Sequence, residues 1–382
     1  MLSHIVPQVY LKSWKKPGQP LFVFSKEYTA GIGSPKSLKM KETRFSESNK
    51  YNISTDAFNS TKAYRDEYLL LFEHVKNFSL TCNGNRIHTF DAFLDNYLYF
   101  SQWVIVDNTG KQLSNKKIKR ELDDIWRSKQ EKVIEEYFSH VVEQEWNNVL
   151  GEIQYIGAQH SALATANQLH SLIEFMAIQI SRVFKPMIDE AVKPLLDSYF
   201  DTVLKPGLPE DYQGLVYDAL ATSEFYDENC KQQLYYYVKY KTENRREYSN
   251  NVVSHIISWL YRMKPILLFS NNETKYITSD CPCYSTIMEK TCPEEYKGIY
   301  LPITPDACVF FADCSQKEKV YYCSNISDQI VAYINQLTKN KCIENVAFSE
   351  NAIASIISET PDIKAWQEML KPIQGNDQIA RF

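Results

Sequence analysis

The stretch that decides the fold runs Pro265-Ile266-Leu267-Leu268-Phe269-Ser270 and then, past a polar turn, Lys275-Tyr276-Ile277-Thr278-Ser279-Asp280-Cys281-Pro282. Within them Ile266 to Phe269 and Lys275 to Thr278 are short apolar or alternating runs bounded by polar turns, which is the signature of strands. Ile299 to Leu301, Cys308 to Phe311, Val320 to Tyr322 and Val346 to Phe348 repeat the pattern. A helix is expected over Ile330 to Lys339. Working back toward the start, Leu21-Phe22-Val23-Phe24 follows a Pro-Gly-Gln-Pro turn and reads as another strand. Tyr51 to Ser54 is a further candidate.

Between these ends the period changes. Tyr64, Tyr68, Leu71, Phe72 and Val75 recur at three and four residues, which predicts a helix ended by Asn83-Gly84-Asn85. Phe90 to Val106 is aromatic-rich and reads as a buried helix. Leu122 to Leu150 carries one apolar stripe, so a single long amphipathic helix is expected there, with Gly151 or Gly157 as its end. A second helix is expected from Ser161 to Pro186, and more helix from Glu228 to about Met263, interrupted near Asn244.

The expected architecture is α+β. N-terminal strands (1–60) join a C-terminal antiparallel or mixed sheet with late helices (265–382), because a lone hairpin is only marginally stable. A large helical block (61–264) sits between them within one structural unit.

Composition narrows the function. A chain of 382 residues builds a core without staples, and a net charge of −5 argues against a surface that binds nucleic acid everywhere. A local basic patch is compatible with that charge. Lys116, Lys117, Lys119 and Arg120 form one candidate, and Lys239, Lys241, Arg245 and Arg246 another. The start of the chain lacks the basic and apolar regions of a secretory signal, and no run of 18 apolar residues occurs. A reducing cytoplasm with free thiols is therefore expected for the nine cysteines, and no membrane partner. Walker, dinucleotide, nucleophile-elbow and zincin motifs do not occur. Cys281-x-Cys283 with Cys292 is poorly spaced for zinc.

Two segments stand apart from ordinary element interiors. His4, Gln8, Tyr10 and Lys12 share parity, so a strand would present them on one face; a helix from Pro7 would instead group Gln8, Leu11 and Lys12. At the other end, Thr278-Ser279-Asp280 closes a strand before Pro282, where Asp280 either faces a cleft or caps an Asx turn.

These segments carry a resemblance. His4-x-x-Pro7-Gln8-x-Tyr10-Leu11-Lys12-x-Trp14, Pro20 to Phe24, Ser34-Pro35, Lys50-Tyr51-Asn52, Gln179-x-x-Arg182, Ile277-Thr278-Ser279-Asp280-x-Pro282 and Leu301-Pro302-Ile303-Thr304-Pro305 follow in order. In this the chain resembles the bacterial proteins of domain-of-unknown-function family 4238. Cys281 stands where the family usually has Asn, and Ile303-Thr304 where it has Leu-Ser. The resemblance adds Gln179, Arg182 and Asn335 to the candidate residues. It implies a bacterial, cytoplasmic protein of the kind found in mobile or defence loci.

If these residues converge, His4 serves as general base, Asp280 fixes its tautomer and Arg182 stabilises developing charge, with Gln8, Tyr10, Gln179 and Asn335 binding substrate. That set suits phosphodiester cleavage by a nuclease-type effector acting on nucleic acid, and it calls for no cofactor. A divalent metal on His4 and Asp280 would need further ligands. The alternative is a non-catalytic interaction or sensor module with a protein partner, in which the same residues are a buried polar network.

Overall fold

A computed structural model describes residues 2–4, 6–15, 18, 21–25, 36–38, 46–48, 65–138, 142–159, 169–182, 201, 205–207, 209–210, 213–214, 223–244, 251–270, 273–287, 289–312, 321–323, 326–341, 345–348 and 360–375. The fold is α+β. In chain order its elements are β1 (Leu2–His4), α1 (Gln8–Lys12), β2 (Leu21–Ser25), β3 (Lys36–Leu38), β4 (Ser46–Ser48), α2 (Arg65–Val75), β5 (Ser79–Cys82), β6 (Asn85–Ile87), α3 (Phe90–Asn96), β7 (Trp103–Val106), β8 (Gln112–Leu113) and α4 (Asn115–Tyr137). There follow α5 (Glu143–Gln159), α6 (His170–Arg182), α7 (Ser223–Thr242), α8 (Val252–Leu260), β9 (Lys264–Phe269), β10 (Thr278–Ser279), β11 (Tyr284–Ser285), β12 (Gly298–Thr304), β13 (Ala307–Ala312), β14 (Tyr321–Cys323), α9 (Asp328–Lys341), β15 (Asn345–Phe348) and α10 (Ile363–Gly375).

The chain forms two compact units. One comprises residue 1 with 49–136, the other 2–48 with 137–382. In the larger unit, β2 pairs antiparallel with β15, and β15 with β10, so strands from both ends of the chain share the sheet β10-β15-β2-β3. This is the joining expected from the sequence. A second sheet, β11-β12-β13-β9-β14, is antiparallel except for the parallel β9–β14 pair, and is therefore mixed. Its apolar runs are buried on both faces: β9, β12 and β13 each bury all but their last residue. Tyr51 to Ser54 lies outside the described residues.

The smaller unit differs from the expected all-helical reading. Asn83-Gly84 is a hairpin turn, with both residues at positive φ (51° and 80°), rather than a helix end. Only Phe90–Asn96 of the 90–106 run is α-helical; a 3₁₀ segment, Tyr97–Gln102, leads into β7, whose alternating burial gives it one inner face. The order β6-β5-β7-β8 results. The single amphipathic helix expected over 122–150 is two, α4 and α5, and Gly151 lies inside α5. The break near Asn244 is present, with that residue at φ 55°.

Gly298, at the start of β12, is demanded by space. A Cβ there would sit 2.2 Å from Phe310 Cε2 and 2.4 Å from the Phe311 carbonyl oxygen, the second a backbone atom that cannot swing away. Gly298→Ala should destabilise the larger unit by more than about 3 kcal/mol. Urea unfolding of the purified variant checks this, and an unchanged midpoint would show that the hairpin gives way.

Candidate functional site

The structure places the sequence-derived residues on four elements of the larger unit, β1, α1, α6 and α9, and on the turn after β10. Gln8, Tyr10 and Lys12 lie on α1, a single helical turn, so the shared face expected of a strand does not form. Tyr10 is buried, Gln8 half-buried and Lys12 exposed. The Tyr10 hydroxyl donates to the Pro302 carbonyl at 2.5 Å and lies 2.5 Å from Thr278 Oγ1. Its one proton goes to the carbonyl, so the threonine hydroxyl donates to it in turn. Burial pushes the Tyr10 hydroxyl well above its usual pKa, which keeps that proton in place. The ring packs on Trp146 at 5.4 Å and Phe175 at 5.8 Å, which carries α1 onto α5 and α6.

Asn335, expected to bind substrate, is fully buried on α9, and its amide holds backbone. Its Oδ1 accepts from the Ile277 N–H at 2.9 Å, and its Nδ2 donates to the Lys275 carbonyl at 2.8 Å. This clamp replaces strand pairing before β10 and explains why the strand read over 275–278 starts only at Thr278. Asp280 follows β10 and is 7% exposed. The turn before Pro282 is made by Ser279, whose Oγ accepts from the Cys281 N–H at 3.1 Å. Gln179 on α6 is fully buried, and neither its Nε2 nor its Oε1 has a hydrogen-bond partner among the described residues. His4 closes β1, paired with Ser46, and Arg182 closes α6; the side chains of both lie outside the described residues. The structure thus brings Tyr10 to Thr278, and Asn335 to the segment that leads into it.

The cysteines beside this clasp are free and buried: Cys281, Cys283, Cys292 and Cys308. Burial pushes the Cys283 and Cys308 thiols well up and Cys292 to about 11, which keeps them protonated and poor nucleophiles. Among the described residues no group of three or more His, Cys, Asp or Glu is placed to hold a metal ion.

A second polar centre lies in the helical part of the same unit. Glu174, on α6, is buried, and its Oε1 accepts from Tyr137, Lys241 and, at 2.9 Å, Tyr237. Its Oε2 lies 3.9 Å from His170 Nε2, and His170 Nδ1 is 2.5 Å from the Tyr261 hydroxyl. Burial pushes the Glu174 carboxyl up, but Lys241, Tyr137 and Tyr237 outweigh it and hold it below the usual glutamate value. The basic candidate at Lys239 to Arg246 therefore loses Lys241 to this pair, while Arg245 and Arg246 lie outside the described residues. A cavity of about 20 Å³, room for one water, is lined by Glu145, Trp146, Ser171, Glu174 and Phe175 among others. The sequence signal was a lone acid in Leu172-Ile173-Glu174-Phe175-Met176, matched by lysines among the tyrosines of α7.

Because the folded carboxyl titrates below its unfolded value, its contribution is present above about pH 4.3 and is lost as pH falls through the folded value. Lys241→Met should cost about 2 kcal/mol near neutral pH, at the low end for a buried pair because Lys241 is partly exposed. It should also raise the pH of acid unfolding. Urea titrations across the acid range check both, and an unmoved acid transition would contradict the pairing.

No curated protein and no solved structure matches the chain. A family model does match, over residues 3–352, and its description is "Protein of unknown function (DUF4238)". The match takes in α1, β10 and α9, the elements that hold Tyr10, Thr278 and Asn335. The chain belongs to the DUF4238 family.

Proposed function

We propose that this chain is a non-catalytic interaction or sensor module, built around an internal polar clasp. One observation carries the reading: Tyr10 and Asn335 are buried, with their polar atoms committed to Thr278 and to backbone, so they have none to offer a substrate. An active site needs its polar groups aimed at a space where a reacting atom can sit. The buried, high-pKa thiols add no nucleophile. Free buried cysteines fit a reducing cytoplasm, and no described helix is long and apolar enough to cross a membrane. A role in bacterial defence rests on the family resemblance alone.

A second reading is supported by Gln179 and Asp280. A fully buried amide with both ends unpartnered among the described residues costs stability that a ligand's polar atoms would offset, and Asp280 is a carboxylate at a strand end. In that reading His4, Asp280 and Arg182 cleave a phosphodiester in nucleic acid.

Cleavage assays on RNA and DNA, with added magnesium and with chelator, separate the two. The module reading expects no cleavage by the wild type, and none by His4→Ala or Asp280→Asn. Cleavage by the wild type that drops roughly 10²–10⁴-fold in His4→Ala overturns it in favour of the second reading.

A further inference from the structure

We infer that the smaller unit presents a binding surface for single-stranded nucleic acid at the start of α4. The sequence there runs against helix electrostatics. The first turn of α4 holds Lys116 and Lys117 and no acid, at the end where the macrodipole is positive and acidic residues are stabilising. Arg120 follows Lys116 by four residues, a like-charge spacing that also disfavours the helix. Such a local conflict marks a place selected for something other than stability.

Two of the cations are already used. Lys117 pairs with Glu121 at 3.7 Å, and Lys119 with Asp123 at 3.2 Å while lying over the Tyr97 ring at 5.4 Å. Lys116 and Arg120 are exposed and have no partner among the described residues. They therefore add to the positive helix end without neutralisation.

The segment joined to this turn carries an exposed aromatic. The Asn115 side-chain amide donates to the carbonyls of Phe100, Ser101 and Trp103 at 3.1, 3.1 and 2.7 Å, tying the first turn of α4 to the 3₁₀ segment. That segment leaves Leu98 62% and Tyr99 53% exposed. Unpaired cations and an exposed tyrosine on two joined segments are the two parts of a single-strand site: charge follows the phosphates, and the ring stacks on a base. A duplex keeps its bases stacked and offers Tyr99 nothing. The surface uses no residue of the Tyr10 clasp, so the inference stands apart from the proposed module and from the cleavage reading.

The test is fluorescence anisotropy of the full chain with labelled 20-nucleotide oligo-uridine and oligo-thymidine, over a range of salt. Each cation on a single-strand phosphate contributes about 0.7 to the log–log salt slope, so Lys116→Gln with Arg120→Gln should lower it by about 1.4. Tyr99→Ala should weaken binding about 5- to 150-fold, and Tyr99→Phe should restore it. All three positions are exposed, and circular dichroism of each variant serves as the check that it is folded. No binding, an unchanged slope in the double variant, equal affinity for a duplex of the same length, or binding only to phosphatidylserine vesicles would each overturn the inference.

Discussion

One hydroxyl proton fixes much of the larger unit. Tyr10 is buried out of reach of solvent, and its oxygen meets partners far along the chain, at Pro302 and Thr278. These lie 292 and 268 residues away in sequence, on β12 and β10. Once the hydroxyl is held, the ring is placed against Trp146 and Phe175, and α1 is trapped between sheet strands and helices. The pairing of β2 with β15 ties the N-terminal segment to the same region of the C-terminal strands. Asn335 acts in the same way from the other side, replacing ladder bonds for Lys275 and Ile277.

The helical part has its own constraint. α6 is buried from Leu172 to Ser181, and it carries Glu174 into the interior. A buried carboxylate is tolerated only with charge and hydrogen bonds around it. Tyr137, Tyr237 and Lys241 supply these from α4 and α7, so the identity of one residue on α6 dictates what the neighbouring helices must offer. The module reading rests on Tyr10 and Asn335 being internally committed, whereas Lys116 and Arg120 of the single-strand surface are not, among the described residues.

The strands after Pro265 were legible because they are short apolar runs punctuated by turns, and β9, β12, β13, β14 and β15 lie where those runs do. The tie between the two chain ends followed from the need to give the N-terminal strands partners. Other features were not legible. Phe90 to Val106 is apolar by either period, and only packing decides that Trp103 and Ile105 face in while Val104 faces out. Tyr10 was visible as a candidate, but the pattern fitted a strand or a helix from Pro7; the turn of helix after Pro7 rotates Tyr10 inward and Lys12 outward. Asn335 became a candidate through the resemblance alone, and sequence does not reveal that its amide faces two backbone groups. Glu174 went unread because its partners stand 37, 63 and 67 residues away.

The measurement that bears most directly on this account is native-state hydrogen exchange of the Tyr10→Phe protein. The substitution removes one oxygen and leaves Thr278 and the Pro302 carbonyl buried without it, a cost of about 1–3 kcal/mol. If the rest of the larger unit depends on that hydroxyl, the slowest amides of β9, β12 and β13 should all lose protection by that amount, about 5- to 150-fold. Loss confined to residues 8–14, with those strands as protected as in the wild type, would contradict the account.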